Sequence, residues 1–298
     1  MRFVPLLLLL ATTLSAQSPA EVQAILQPIA KSGLAAAVAR TDGLISVGGK
    51  ASRVPIGSIA EPVTATILGT LVDEGFITWE TTVANVFPEW RGSIRPEYAN
   101  VTLVQLLSHE GRIPTSNAPV QEVLTLEPLP AVRKQYDWSP ASQRIAMAIA
   151  EKITGQKWDE IVRERVLQAF EVKGTTDLSI EDLAKFARSH LVALQGHDSI
   201  VKAGTARLLH DKRNKIALGW DVQTVMSYAP ISVASGSAGK SHTLIAVAPK
   251  QNLAIAVIAN SESVARKALE SLILAYAPPL LQPAPRRPIP PPRRPRVP

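Results

Sequence analysis

The chain has 298 residues, of which 46% are hydrophobic, so it can bury a sizeable core as one large domain or two closely packed subdomains. It contains no cysteine, which excludes disulfides, thiolate catalysis and cysteine-ligated metals. The formal net charge of +7 does not indicate a nucleic-acid partner, because five arginines lie in the last thirteen residues and the rest of the chain is close to balance.

The chain begins with the pattern of a secretory signal. Arg2 precedes an apolar run from Phe3 to Ala11, and small residues end the pattern near Ala16. The apolar run is shorter than a membrane span requires. The sequence therefore predicts a signal peptide over residues 1–16, an exported protein that is periplasmic or secreted, and no transmembrane span in the mature chain. The alternative is an ordinary buried N-terminal segment.

Helix and strand patterns alternate in the first part of the mature chain. The stretch "SPAEVQAILQPIAKSG" has apolar residues at helical spacing, with Ser18 as its cap and Gly33 as its stop. Two short apolar runs around "TDG" predict a β-hairpin. A helix from Ser58 to Glu74 follows, and Gly75 ends it.

The pattern becomes helical in the middle of the chain and returns to strands near its end. Residues from about 76 to 215 repeat the 3.6-residue period and predict a helical subdomain. The stretches "TLIAVAP" and "LAIAVIAN" predict a second strand pair, and a last helix runs from Ser261 to Tyr276. We therefore predict one domain over residues 17–276, of the α/β (α+β) class, with an antiparallel sheet built from both chain ends and flanked by helices.

The last segment, residues 277–298, is rich in proline and arginine. Such a sequence supports neither a helix nor a strand ladder, so we predict a disordered, extended polyproline II tail. The alternative is a motif for a specific partner. On an exported protein, this basic tail is suited to contact an anionic envelope surface.

Six phrases of the sequence together carry a family resemblance. In chain order they are "IGSIAEPVTATILGTLVDEGFITWETTVANVFPEW", "VTLVQLLSHEGRIP", "AMAIAEKITGQKWDEIV", "SIEDLAKFARSHL", "LGW" and "LIAVAPKQNLAIAVIAN". They resemble the class C (AmpC-like) serine beta-lactamases and the related penicillin-binding D,D-peptidases and esterases. The resemblance covers roughly residues 20–276. It implies a beta-lactamase/transpeptidase-like fold and a serine nucleophile that forms an acyl-enzyme.

The resemblance also implies three motifs around the nucleophile, and this chain departs from each of them. In the family these motifs are S-x-x-K, Y-x-N, and K-T-G or H-x-G. Here the first reads Ser58-Ile59-Ala60-Glu61, so Glu61 occupies the lysine position. The tyrosine position falls on Trp138 in "WSP", and the lysine or histidine position falls on Ala234 in "ASG". An indole donates one hydrogen bond and cannot act as a base.

Ser58 can be interpreted as a nucleophile or as a helix cap. Ser-x-x-Glu before an apolar helix is a capping box, in which the serine hydroxyl accepts from the third N–H and the glutamate bonds back to the serine N–H. An ionised carboxylate is also a poor base for a serine and opposes a forming oxyanion. The sequence therefore favours Ser58 as an N-cap.

Other residues offer little help to a nucleophile. Lys240 and His242 lie just past Ala234 and are the candidate helpers if the strand register differs. His109 matches a histidine that the family uses for structural support. No spacing indicates a metal, a phosphate loop or a base-stacking surface, so we expect no cofactor, no metal and no nucleic-acid partner.

Two functional hypotheses remain from the sequence. The first is an exported, catalytically degenerate relative that uses its cleft, at most, to bind a cell-wall or small acyl ligand. The second is a weak Ser58-dependent serine hydrolase, similar to an esterase, beta-lactamase or D,D-peptidase, with non-standard helper residues.

Overall fold

The computed structural model of the chain describes residues 18–30, 32–43, 45–130, 138–172, 177–212, 216–225 and 229–277. The predicted signal peptide over residues 1–16 and the tail beyond residue 277 lie outside the described residues. Between residues 56 and 220, the described chain is mainly helical.

The strands are β1 (Leu34–Ala39), β2 (Ile45–Lys50), β3 (Val54–Pro55), β4 (Asp177–Leu178), β5 (Asp221–Gln223), β6 (Ile231–Ala238), β7 (Ser241–Ala248) and β8 (Leu253–Ala259). The α-helices are α1 (Pro19–Leu26), α2 (Ala60–Asp73), α3 (Val83–Val86), α4 (Pro96–Ala99), α5 (Leu103–Leu107), α6 (Val120–Val123), α7 (Pro140–Thr154), α8 (Trp158–Val162), α9 (Ile180–Leu194), α10 (Ala203–Leu209) and α11 (Glu262–Tyr276). Single 3-10 turns span Ile56–Ile59, Pro88–Trp90, Gln168–Phe170 and Pro249–Gln251, and a π-helical turn spans Arg163–Leu167.

The main sheet is assembled from both ends of the chain. Its strand order is β2-β1-β8-β7-β6-β5, and every neighbouring pair is antiparallel. The predicted hairpin around "TDG" is confirmed, with β1 and β2 paired from Leu34↔Lys50 to Ala39↔Ile45. The predicted fold class is confirmed as well. A separate two-stranded sheet joins β3 to β4.

The sheet separates two apolar layers. Alternate residues of β8 point to opposite faces, so Ile255 packs with the residues of α1 and α11 while Ala256 packs with those of α2, α7 and α9. Both layers exclude water from large apolar side chains, which is the main favourable contribution to folding. The site lies on the face that carries α2.

Helix α1 is shorter than predicted. Ser18 caps it through a capping box with Glu21, as the sequence indicated. The helix ends at Leu26 rather than near Gly33. Pro28 lacks the N–H that would continue the ladder, and its ring clashes with the preceding turn, which accounts for the early end.

No helix within the described ranges is both long enough and apolar enough to cross a membrane.

Candidate functional site

Ser58 lies on a 3-10 turn between β3 and α2, not at the start of the helix itself. The turn spans Ile56–Ile59, and α2 begins at Ala60. Ile59 breaks the helical path with φ −129° and ψ 39°. Only 3% of Ser58 is exposed, and its Oγ has no hydrogen-bond partner among the described residues.

Strand β6 lies directly against this turn. A Cβ atom built on Gly236 would lie 1.9 Å from the carbonyl oxygen of Ser58 and 2.8 Å from its carbonyl carbon. Only glycine leaves room for this approach of two backbones. Ala234 lies two residues earlier on the same face and is buried. The structure therefore brings the third predicted motif beside Ser58, with alanine at the position of the charged or imidazole side chain.

Glu61 and Trp138 are joined, although they are far apart in the sequence. Trp138 Nε1 donates a hydrogen bond to Glu61 Oε1 across 2.5 Å. The Trp138 side chain is otherwise largely accessible, with 53% of the residue exposed. The positions that resemble the family's lysine and tyrosine thus contact each other in this chain, as a carboxylate and an indole.

His109 lies on the buried side of the same carboxylate. Its Nε2 is 3.6 Å from Glu61 Oε1, and its Nδ1 accepts a hydrogen bond from the Ser139 N–H across 3.3 Å. Because Nδ1 accepts this bond, the ring N–H lies on Nε2, the nitrogen that faces Glu61. The ring is 3% exposed, and the backbone adopts a left-handed φ of 54°. The buried imidazole therefore lies beside the Glu61 carboxylate, with Nε2 directed at it.

The pKa of Glu61 is lowered by its surroundings. Burial by itself would raise this pKa, but His109 and the Trp138 N–H both stabilise the ionised carboxylate and outweigh it. Glu61 is therefore a carboxylate at neutral pH, with two donors directed at it.

The capping interpretation of Ser58 is wrong. A capping box needs the glutamate at the third helical position, but α2 starts late enough that Glu61 is at the second. No side-chain cap bond is formed at the start of α2, and the Glu61 carboxylate bonds to Trp138 instead. Ser58 Oγ is left without a cap role.

Neither candidate helper forms a hydrogen bond with Ser58 Oγ, which has no partner in the described structure. Side chains alternate along β7, where Thr243 and Ile245 face the α2 side and His242 faces the α11 side. There His242 contributes, after Arg266, to the lowered pKa of Glu262. Lys240 is exposed in the turn after β6 and has no hydrogen bond within the described chain. The different strand register under which these residues could help is not observed, because β6, β7 and β8 pair in a regular register with their apolar residues buried.

Two residues that sequence reasoning missed support the site. Gln143 of α7 donates through Nε2 to the carbonyl oxygen of Ala60 across 2.8 Å and also to Thr64 Oγ1. Gly219 approaches the Glu61 carbonyl so closely that a Cβ would lie 2.8 Å away. Gly219 belongs to the phrase "LGW" that supported the resemblance, whereas Gln143 lies between the quoted motifs and had no signal of its own.

The chemistry available at this site is limited. A serine nucleophile needs a neighbouring group that takes its proton. Ser58 has an alanine on one side, and an indole and a low-pKa carboxylate on the other. In the described ranges, no group of three or more potential ligand side chains could hold a metal ion.

Comparison with protein families gives one clear match. The family model described as Beta-lactamase matches residues 22–176, more than half of the 298 residues. A search of curated protein sequences finds no match.

Several solved structures share the fold. SurE with D-Leu superposes with a TM-score of 0.70 at 17% identity, over 87% of this chain and 74% of that one. A D-stereospecific amidohydrolase from Streptomyces sp. superposes with a TM-score of 0.65 at 17% identity, over 86% of this chain and 98% of that one. The octameric penicillin-binding protein homologue from Pyrococcus abyssi superposes with a TM-score of 0.64 at 16% identity, over 85% of this chain and 75% of that one. At these identities the likeness concerns the fold.

Proposed function

Because the chain belongs to the beta-lactamase family, we propose that it is an exported member without hydrolytic activity, in which the cleft beside Ser58 binds a ligand and does not cleave it. The observation that carries this proposal is the hydrogen bond from Trp138 to Glu61. Trp138 and Glu61 occupy the two positions from which a family hydrolase would take the serine proton. The indole cannot accept a proton, and a carboxylate of lowered pKa is a poor base for a serine.

Electrostatics support the same conclusion. Attack by Ser58 on a carbonyl would create an oxyanion, which enzymes stabilise with donors aimed at the developing charge. Here an ionised carboxylate lies one helical turn away, on Glu61, and it disfavours that charge. Every 1.4 kcal/mol added to a barrier slows a reaction about tenfold, so a modest repulsion is sufficient to suppress turnover.

The edge of β6 supports a binding role. Strand β5 pairs only with Ile231–Val233 of β6, so the next five residues have no partner strand on that edge within the described chain. An unpaired edge can add an extended ligand through backbone hydrogen bonds. Gly236 of this edge contacts Ser58, and the exposed indole of Trp138 offers an aromatic face nearby. A cell-wall peptide or a small acyl-amide ligand has the matching chemistry.

Export and envelope contact complete the proposal. The signal pattern over residues 1–16 would direct the chain out of the cytoplasm, and the basic proline-rich tail over residues 277–298 would then contact an anionic envelope surface.

A weak serine hydrolase is the second candidate, and one observation favours it. Ser58 Oγ has no hydrogen-bond partner in the described structure, so its hydroxyl is not committed to a structural role. One solved structure with this fold is a D-stereospecific amidohydrolase, which shows that the architecture accommodates amide cleavage in that protein.

Turnover of short-chain nitrophenyl esters separates the two candidates. The mature protein and its Ser58→Ala variant are compared at equal concentration against buffer. We expect the two proteins to give the same rate, because residual ester cleavage would come from surface groups. A rate that depends on Ser58 would establish the hydrolase.

A further inference from the structure

A cavity lies at the far end of β6 from Ser58. Its volume is about 610 Å³, and its walls come from the end of α9, from α10 and from the ends of β5, β6 and β7. Ser232 lines it, and Ser232 is four residues from Gly236, a separation of about 13 Å along a strand. The cavity is therefore separate from the Ser58 site, and its size lies within the usual range for small-molecule sites.

A buried hydrogen-bond chain leads from α2 to this cavity. Thr66 Oγ1 donates to the Pro62 carbonyl across 2.6 Å, so it can only accept from His190 Nε2, 3.0 Å away. His190 Nδ1 lies 3.0 Å from Nε2 of His210, and His210 lines the cavity. Two helices of the domain core are thereby connected to the cavity wall.

The chain fixes the tautomers of both rings. Burial lowers the pKa of His190 to about 3 and, together with the neighbouring His190, lowers that of His210, so both rings are neutral. His190 carries its proton on Nε2, and its Nδ1 must accept from His210 Nε2–H. His210 Nδ1 is then an acceptor, and it has no partner among the described residues although the ring is more than nine-tenths buried. His210 Nδ1 is closed off from solvent, so it is a buried unsatisfied acceptor at the end of this hydrogen-bond chain.

Charged groups at the cavity favour an anion. Arg207 and Lys250 line it, both are exposed, and neither forms an ion pair within the described ranges. Asp211 is the one acid among the lining residues, so positive charge is in excess there. Leu194, Leu208 and Val222 supply apolar walls.

We propose that this cavity binds a small amphipathic carboxylate, with its apolar body against Leu194, Leu208 and Val222 and its carboxylate toward Arg207 and Lys250. The bound ligand also lies against His210, which lines the cavity. The proposal is independent of the function assigned to the Ser58 site.

Octanoate is the probe for the test, and 1-octanol is the matched probe without charge. Titration of the mature protein is followed by calorimetry and by the NMR signals of the histidine rings. We expect saturable octanoate binding that shifts the His210 ring signals, and much weaker binding of 1-octanol. Equal binding of the two probes, or no saturable response to octanoate at millimolar concentration, would overturn the proposal.

Two sets of variants locate the binding. Replacing both cations, Arg207→Gln with Lys250→Gln, should weaken octanoate binding about three- to tenfold, the size expected for two exposed charge contacts. Replacing two exposed cations elsewhere, Arg163→Gln with Lys267→Gln, is the matched control and should leave binding unchanged. Unchanged affinity in the first double variant would contradict the site.

A filled cavity gives the second test. Gly204 lines the cavity, and a Cβ added there meets no atom within 4 Å, so the backbone accepts a side chain and Gly204→Leu adds bulk at the cavity wall. It should abolish octanoate binding while thermal stability is kept. A Cβ added at Gly92 also meets no atom within 4 Å, and Gly92 does not line the cavity, so Gly92→Leu serves as the control. Binding that survives Gly204→Leu would place the ligand elsewhere.

Discussion

Trp138 Nε1 and Glu61 Oε1 are 2.5 Å apart, and this hydrogen bond joins two residues 77 positions apart in the sequence. The indole and the carboxylate stand at the positions that resemble the tyrosine and lysine of the family's serine hydrolases. The two groups match as hydrogen-bond partners, because the indole can only donate a hydrogen bond and the ionised carboxylate can only accept one. The two replacements therefore form a local structure that is satisfied without a substrate.

The first prediction concerns the pKa of Glu61. Trp138→Phe removes the N–H donor and keeps the aromatic ring, so the ionised carboxylate loses one stabilising hydrogen bond and its pKa rises. A carboxyl carbon NMR titration measures the change. Trp90→Phe is the control. The Trp90 ring stacks on Phe87, so this change should leave the pKa of Glu61 unchanged. An unchanged pKa in Trp138→Phe would show that His109 alone holds the carboxylate.

The second prediction separates a buried unsatisfied hydroxyl from a helix cap. Ser58→Ala removes a buried Oγ that has no partner in the described structure, so the free energy of unfolding should stay the same or increase. A capping serine would behave differently, since its loss costs about 0.5–2 kcal/mol. Ser179→Ala, at a serine that caps α9 through Asp182, is the control and should show that loss. Urea unfolding measures the free energy of unfolding of both variants. A loss in Ser58→Ala comparable to that in Ser179→Ala would show that Ser58 acts as a helix cap.

The third prediction concerns acid stability. His190 is fully buried and neutral, with its pKa lowered by burial to about 3, so the unfolded chain binds more protons than the folded chain below about pH 6.5. Unfolding is therefore favoured as the pH falls from about 6.5 toward 3, by up to about 1.4 kcal/mol per pH unit for this residue. Urea unfolding at pH 7, 6 and 5 should show the decline.

A non-titrating variant isolates that contribution. His190→Gln should be less stable than the wild type at pH 7, because the bond to Thr66 is disturbed, but its stability should decline less steeply with acid. His197→Gln, at an exposed position, is the matched control and should keep the wild-type slope. Equal slopes for all three proteins would mean that His190 is not neutral in the folded state.

The fourth prediction tests the approach of β6 to Ser58. Gly236→Ala places a methyl group 1.9 Å from the Ser58 carbonyl oxygen, so the backbones must separate and stability should fall by about 1–3 kcal/mol or more. Gly57→Ala changes the neighbour of Ser58, but its added Cβ meets nothing within 4 Å. It should have little effect. Thermal unfolding of both variants decides the matter, and equal stability of the two would contradict the close approach.

Much of the fold could be predicted from the sequence because it depends on local and periodic signals. Alternation in "TLIAVAP" and "LAIAVIAN" gave the strand pair that became β7 and β8, and "TDG" gave the hairpin of β1 and β2. The limits of single elements were less predictable. Helix α1 stops early at Pro28, and α2 starts after a 3-10 turn.

The sequence suggested which residues surround Ser58, but it did not indicate the contacts that they make. Counting along motifs placed Glu61, Trp138 and Ala234 near Ser58, and the structure brings Trp138 to Glu61 and β6 to Ser58. The capping box was wrong because its letters do not specify where the helix begins. The buried pair of His190 and His210 had no motif, since it forms between two helices whose contact depends on tertiary packing.

Among the residues that the structure describes, no group is placed to activate Ser58, and acylation by a penicillin tests this central claim most directly. The mature protein and its Ser58→Ala variant are incubated with a fluorescent penicillin and examined by gel fluorescence and intact mass. We predict no adduct on either protein, because Glu61 is bound by Trp138 and Ala234 offers no proton-accepting group. An adduct of one penicillin on the wild-type protein that is lost in Ser58→Ala would contradict the claim.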